Sequence, residues 1–392
     1  MGREEYLERL RRALAGRMAA EEVERTVAYY AACLDEAGPE GEEARMADWG
    51  TPEELGARLL DDLGRKTLSP RGRKLLWGAI AGVLVLSAAL WLVRLRPWAA
   101  PKGDSGSSDL TEPFTAVDVD LDWGNVTLRQ EGDLCRCETD WTGADYTINA
   151  WVEKGVLRVE GRQRGGLHLD WSDDHTAQVT ITVPEGASLT ALEVTSDAGD
   201  VVLTGGAEGL SVGPLTVESD MGSVTVEHLT AEESDFTLDL GELTVSDCVL
   251  GDTQAENSSG GVTLIDSRAG ELFCALDLGD LRLERVTGAS ADLAADLGNI
   301  TVKDGTLTGG TVTCDGGEVE LSGGLSGVWE VTNSMGSITF DTSTSGWVYD
   351  LEVDLGGITL NGADQGTRTA GGSGSHQLTA YSDLGDVNVT FG

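Results

Sequence analysis

Eleven times between residues 124 and 385 the chain sets a glycine two positions before one aliphatic residue and four positions before another apolar residue, aliphatic in all but the Gly336 unit, where it is Phe340. The glycines are Gly124, Gly199, Gly222, Gly241, Gly260, Gly279, Gly298, Gly317, Gly336, Gly356 and Gly385, and the first aliphatics run from Val126 and Val201 through Leu281 and Ile300 to Val387. The residue between the two apolar positions points to the opposite face and is threonine in seven of the eleven units. That two-residue alternation predicts a half-buried strand. A further apolar residue stands five before most of the glycines, as at Val194, Val217, Phe236, Leu293, Val312, Val331 and Leu351, so each unit reads strand, tight turn, strand. From Gly222 to Gly336 seven successive glycines are spaced by 19 residues. A unit so short cannot bury a core alone, and its fixed length predicts a solenoid in which units stack on one another.

An acid recurs two positions before the glycine: Asp197 before Gly199, Asp220 before Gly222, Asp239 before Gly241, Asp277 before Gly279, Asp296 before Gly298, Asp315 before Gly317, Asp354 before Gly356 and Asp383 before Gly385. Asp122 does the same before Gly124, while Ser258 and Ser334 replace it in the remaining two units. Glycine reaches positive φ freely and Asp hydrogen-bonds nearby backbone, so the pair predicts a structural turn. Carboxylates stacked about 4.8 Å apart repel by roughly 0.9 kcal/mol per pair in water, which a backbone N–H bond worth roughly 1.5–3 kcal/mol offsets without a metal. A calcium column is the alternative, although the spacing departs from the nonapeptide calcium-roll pattern. No cofactor, metal or catalytic residue is assigned.

Upstream the periodicity changes. Leu7, Leu10 and Leu14, then Val23, Val27, Tyr30 and Leu34, recur at helical intervals, and each set makes one apolar face. Gly38-Pro39 ends the second helix, and Thr51, Pro52 and Glu54 supply N-cap, N1 and N3 of a third that continues through Leu55, Leu59 and Leu63. Leu75 to Val93 carries no charge over 19 residues, about 28 Å as a helix, which matches a bilayer's hydrocarbon thickness. Arg65, Lys66, Arg71, Arg73 and Lys74 precede it, against Arg94, Arg96 and Lys102 after it. The positive-inside bias puts the N-terminus in the cytoplasm, with Trp77, Trp91 and Trp98 at the interfaces.

Charge sharpens this division. Residues 1–74 carry a net −3, residues 75–103 a net +3 and residues 104–392 a net −40. Such an acidic region repels phosphate backbones, so nucleic acid is excluded as its partner. Cys33, Cys135, Cys137, Cys248, Cys274 and Cys314 form no CxxC pair, and read as buried free thiols rather than a zinc site or a disulfide framework. His168, His175, His228 and His376 fall in no constellation with a nucleophile and read as solvated surface residues. Carboxylate pairs such as Asp277 with Asp280 and Asp383 with Asp386 are spread over many units, which suits scaffolding better than one active site. The chain is predicted not to be an enzyme.

"REEYLERLRRAL", "VAYYAACLDEAG" and "DWGTPEELGARLL" resemble the small α-helical signalling domain associated with helix-turn-helix regulators. That resemblance implies an interaction module at the cytoplasmic end of a bacterial membrane protein, beside PadR-like repressors. From Thr111 onward, "ITVPEGASL", "GDVVL" and the later rungs resemble the β-strand-repeat family of bacterial membrane proteins named putative adhesins, which implies adhesion, envelope interaction or stress sensing.

The expected architecture is a helical signalling-like domain at 1–64, a basic juxtamembrane segment at 65–74, a transmembrane helix at 75–95, a linker at 96–110 and an all-β solenoid at 111–392. Within the solenoid, 111–194 is the lead-in and cap and 195–392 the regular rungs of a single-stranded β-helix. The expected location is the cell membrane, N-terminus cytoplasmic and C-terminal domain extracytoplasmic. Expected partners are the membrane, a cytoplasmic regulator protein and a surface or envelope ligand. Two functional readings stand: an adhesion or envelope-interaction scaffold coupled to signalling, and a transmembrane sensor whose helical domain regulates a PadR-like transcription factor. A calcium-binding or carbohydrate-active β-helix ranks behind both.

Overall fold

The computed structural model describes Tyr6, Arg9, Arg11, Arg12, Thr51 and residues 105–142, 146–163 and 177–392. The chain divides into two units, Met1–Ala99 and Ala100–Gly392. In the first, Tyr6, Arg9, Arg11 and Arg12 are helical and Tyr6 is buried. The rest of the helical domain, the basic segment at 65–74 and the predicted span at 75–95 lie outside the described residues. Among the described residues no helix is long and apolar enough to cross a membrane.

The second unit is nearly all β. Its repeating rung is a short strand, a corner, a long strand and a second corner: Val224–Glu227, His228, Leu229–Leu240, then Gly241. Successive short strands pair in parallel, so that Val224, Leu243, Val262, Leu281, Ile300, Val319 and Ile338 stand side by side. The long strands do likewise through Val217, Phe236, Ala255, Cys274, Leu293, Val312 and Val331. Both rows are buried and meet as the core between the two ladders. The 19-residue spacing seen in the sequence is thus the pairing register, and the apolar residues at two and four after each glycine face inward. Fully burying one such side chain contributes roughly 1.5–3 kcal/mol.

The second corner was not foreseen. His228, Asp247, Asp266, Arg285 and Asp304 recur every 19 residues and adopt left-handed φ values of 49–55°. Asp tolerates that region and supplies three of the five. Arg285 adds an ion pair to Asp266 of the neighbouring rung at 2.6 Å.

Order along the stack also differs from a simple serial coil. Near the C-terminus the last strands, His376–Leu384 and Val387–Phe391, insert between the Gly336 rung and the Gly356 rung. Near the start, Ala116–Leu121 and Asn125–Gln130 likewise lie between the Leu192/Val201 rung and the strands Val156–Gln163 and Ala177–Val183. The Gly124 unit, counted among the eleven in the sequence, is a full rung within 111–194. Each end finishes in antiparallel strands: Ser105–Leu110, Arg136–Thr142 and Tyr146–Glu153 at one, Ala363–Gly366 and Arg368–Gly372 at the other. Capping strands cover ladder edges that would otherwise pair with another chain. Around the final rungs Phe340 packs edge-on against Trp329 and Trp347, and Trp347 stacks on Phe391 at 5.4 Å.

The glycine corner fixes how closely rungs approach. Gly279 has φ +144°, and a Cβ there would lie 2.1 Å from the carbonyl oxygen of Gly260 on the preceding rung. Gly132 also has positive φ, at +68°, but faces open space. Chemical denaturation of the two alanine variants separates turn conformation from stacking. Gly132→Ala carries only the conformational cost of about 1 kcal/mol, whereas Gly279→Ala is expected to lose more than about 2 kcal/mol because backbone must move as well. Equal losses would contradict the close stack.

Candidate functional site

The eleven glycine corners line up along one edge of the stack, and this edge carries the sequence's most regular chemistry. Asp197, Asp220, Asp239, Asp277, Asp296, Asp315 and Asp354 are exposed there, while Asp383 is half-buried. Gly199, Gly222, Gly241, Gly279, Gly298, Gly317, Gly356 and Gly385 all have φ between +141° and +156°. The hydrogen bonds of the acids run elsewhere than to their own turns. Tyr381 donates to Asp354 at 3.1 Å and also to Asp383, Ser334 meets Asp315 at 3.4 Å, and Asp122 accepts the backbone N–H of Gln163 at 2.7 Å. Burial, then the neighbouring Asp220, raise the Asp197 carboxyl above its ordinary range.

The acceptors that tie corner to corner stand one residue after the glycine. Asn125 accepts from the backbone N–H of Asp200 at 3.0 Å, and Asp200 from that of Ser223 at 2.9 Å. Asp280 accepts from Asn299 at 2.8 Å, and Asn299 from Glu318 at 2.9 Å. Asp386 accepts from Gly357 at 2.9 Å. The bonds to Asp200, Asp280 and Asp386 go to carboxylates and contribute roughly 1.5–3 kcal/mol each, those to the Asn125 and Asn299 amides about 1 kcal/mol, so these side chains stitch neighbouring rungs. Inside the corner, three before the glycine, Asn257 and Asn333 donate to the carbonyls of Gly241 and Gly317, each at 2.9 Å, and Ser382 to that of Gly336 at 3.2 Å. Asx residues at a fixed offset from glycine were the available sequence signal for both positions.

Between the acids lies an aliphatic ridge. The residue immediately before the glycine is Met221, Leu240, Leu278, Leu297, Met335, Leu355 or Leu384 in seven rungs. These seven are the majority of the eleven exposed large apolar side chains among the described residues. The residue between the acid and the glycine, which the turn does not require, is thus the outward one.

A second acidic surface covers the outside of the long ladder. Desolvation first, then Glu256, Glu218 and Glu233, push the Asp235 carboxyl up to about 6. Desolvation, then Asp118 and Glu218, do the same to Glu193, also to about 6. Among the described residues no group of three or more His, Cys, Asp or Glu is placed to hold a metal ion. Cys135, Cys137, Cys248, Cys274 and Cys314 are free, and all but half-buried Cys135 are buried. Burial pushes the Cys274 thiol up to about 12, which makes it a poor nucleophile. His228 is an exposed corner residue, but His376, expected in solvent, accepts the Gly327 N–H at 3.0 Å and lies 5.3 Å from the Trp347 ring. His168 and His175 lie outside the described residues.

The description HAAS matches residues 5–58, and the description Toastrack DUF4097 matches residues 149–251 and again 241–390. No curated protein matches the chain. Similar solved structures include one described as a putative adhesin from Parabacteroides distasonis ATCC 8503, 16% identical, covering 74% of this chain and 98% of its own, with a TM-score of 0.39. Another, described as a putative lipid binding protein from the same organism, is 11% identical over 74% of this chain and 97% of its own, TM-score 0.35. A third, described as a putative adhesin from Bacteroides fragilis NCTC 9343, is 13% identical over 75% and 100%, TM-score 0.30. At such scores the likeness carries no argument.

The raised carboxyls set a pH dependence. An acid that keeps its proton more tightly when folded stabilises the fold at low pH, and the gain is lost as pH rises through the folded value. Stability should therefore fall between about pH 4, where a free Asp titrates, and about pH 6, where Asp235 does. Thermal melts of Asp235→Asn should show a shallower fall over that window and a higher Tm at neutral pH; an unchanged slope would contradict the assignment.

Proposed function

The chain belongs to the Toastrack DUF4097 family, and from that premise we propose that its β stack is a non-catalytic binding scaffold held outside a bacterial cell membrane by one span at 75–95. The observation that carries this is repetition: an acid recurs two before the glycine in nine of the eleven units, and an outward aliphatic one before it in seven. A surface that repeats over about 50 Å for some eleven rungs suits a long interface rather than a single reaction centre. The uncharged run Leu75–Val93, with five basic residues before it and three after, supports the span and its direction. On this reading the acidic stack forms a single-stranded β-solenoid for adhesion or contact within the envelope.

A second reading adds signalling, and the HAAS match at residues 5–58 favours it. The helical domain at 1–64 is then the cytoplasmic contact for a regulator of the PadR-like type, and occupancy of the stack is what it reports.

Topology is the first test. Protease added to intact cells that express the chain with epitopes at both termini should destroy the C-terminal epitope and spare the N-terminal one until the cells are lysed. Protection of the C-terminal epitope would overturn the arrangement. For signalling, deletion of residues 5–58 should abolish co-purification of the regulator while leaving surface display intact; retention of the regulator would remove the second reading.

A further inference from the structure

We propose that the aliphatic ridge at the glycine corner is a docking strip for a basic, amphipathic helical segment of another protein. The ridge runs in blocks of two or three adjacent rungs: Met221 pairs with Leu240, Leu278 with Leu297, and Met335 with Leu384, which in turn neighbours Leu355. Its side chains are 46–67% exposed. The fold does not require them, because Ser259 and Gly316 occupy the same position and the same parallel register. Stacked apolar side chains repeated where a serine or glycine serves equally well mark an interaction surface.

Charge selects the occupant. In none of the eleven units does Lys or Arg stand two before, one before or one after the glycine. Acids fill the first of these positions in nine units, and Asp200, Glu242, Asp280, Glu318 and Asp386 add to the last. A second copy of the chain would press carboxylates against carboxylates, and an anionic bilayer surface would be repelled. A cationic polypeptide is attracted on both flanks, since Lys and Arg stems lie along apolar surface while their heads reach outward.

Spacing favours a helix over a strand. Rungs repeat about every 4.8 Å, and a helix offers an apolar residue every turn of about 5.4 Å, nearly in step over the two or three rungs of each block. Same-face residues of a strand recur at about 6.6 Å and fall out of phase within two. This inference deepens the scaffold reading and rests on it only in taking the stack as a binding surface. Measured on the purified full chain, it is untouched by an error in membrane topology.

The test uses a synthetic Leu/Lys peptide of about 18 residues, roughly 27 Å as a helix, its leucines on one face. A scrambled peptide of the same composition and a Glu-for-Lys version are the comparisons. Fluorescence anisotropy with the full-length protein in detergent should show saturable binding of the amphipathic peptide alone, weakening steeply with salt. Leu278→Ser with Leu297→Ser should weaken it about tenfold or more with an unchanged Tm, and Asp277→Asn with Asp296→Asn should weaken it and flatten the salt dependence. Equal binding of the scrambled peptide, undiminished binding by the serine variant, or ridge-dependent dimerisation of the wild type in sedimentation would each overturn the proposal. So would binding of anionic vesicles in preference to the peptide.

Discussion

The approach of one backbone to the next at the glycine corner is the constraint on which the stack depends. At Gly222, Gly241, Gly298 and Gly317 a Cβ would lie 1.8–2.0 Å from the carbonyl oxygen of the preceding corner glycine. No side chain fits there, so glycine is demanded twice, by positive φ and by contact. Once corners nest, the backbone N–H of each glycine reaches the next rung, as Gly241 does to Ser259 at 3.0 Å and Gly279 to Leu297 at 2.9 Å. The apolar residues two and four positions later are then carried into one buried row. Nesting also forces whatever flanks the glycine into columns, which is why acids, Asx acceptors and exposed leucines form stripes rather than scattered points.

Those stripes connect stability to function. A column of carboxylates opposes stacking, and the Asn125–Asp200–Ser223 and Asp280–Asn299–Glu318 chains of hydrogen bonds offset that opposition locally. The retained charge is then available to a partner of opposite sign. Antiparallel strands and the out-of-order final rungs close both ends, so that growth by addition of another chain is blocked and the long edge at the glycine corner stays open for binding.

Much of this was legible because short-range periodicity reports it directly. The 19-residue spacing gave the register, and the alternation after each glycine named the buried residues, from Val126 to Val389. Rung order at the ends was hidden, since Val387 and Ile358 carry the same pattern and nothing local says that Val387 pairs with both Ile338 and Ile358. The left-handed corner from His228 to Asp304 was obscured by its mixed residue types. At the glycine corner the acid before the glycine drew attention through its regularity, whereas the backbone-bonding Asx after it alternates with Ser, Gly and Glu. The exposed leucine carries no such signal, because a strand's inward and outward positions are ambiguous at a turn.

Cross-linking across the outer face of the short ladder tests the stack most directly. Thr244 and Thr263 are direct neighbours on adjacent rungs, whereas Thr244 and Thr301 are three rungs apart. With Cys33 and Cys135 replaced by serine, cysteines at 244 and 263 should join under mild oxidation within one molecule, since paired strands lie about 4.8 Å apart, and cysteines at 244 and 301 should not. Efficient joining of the distant pair, or none of the near pair in folded protein, would contradict the nested stack.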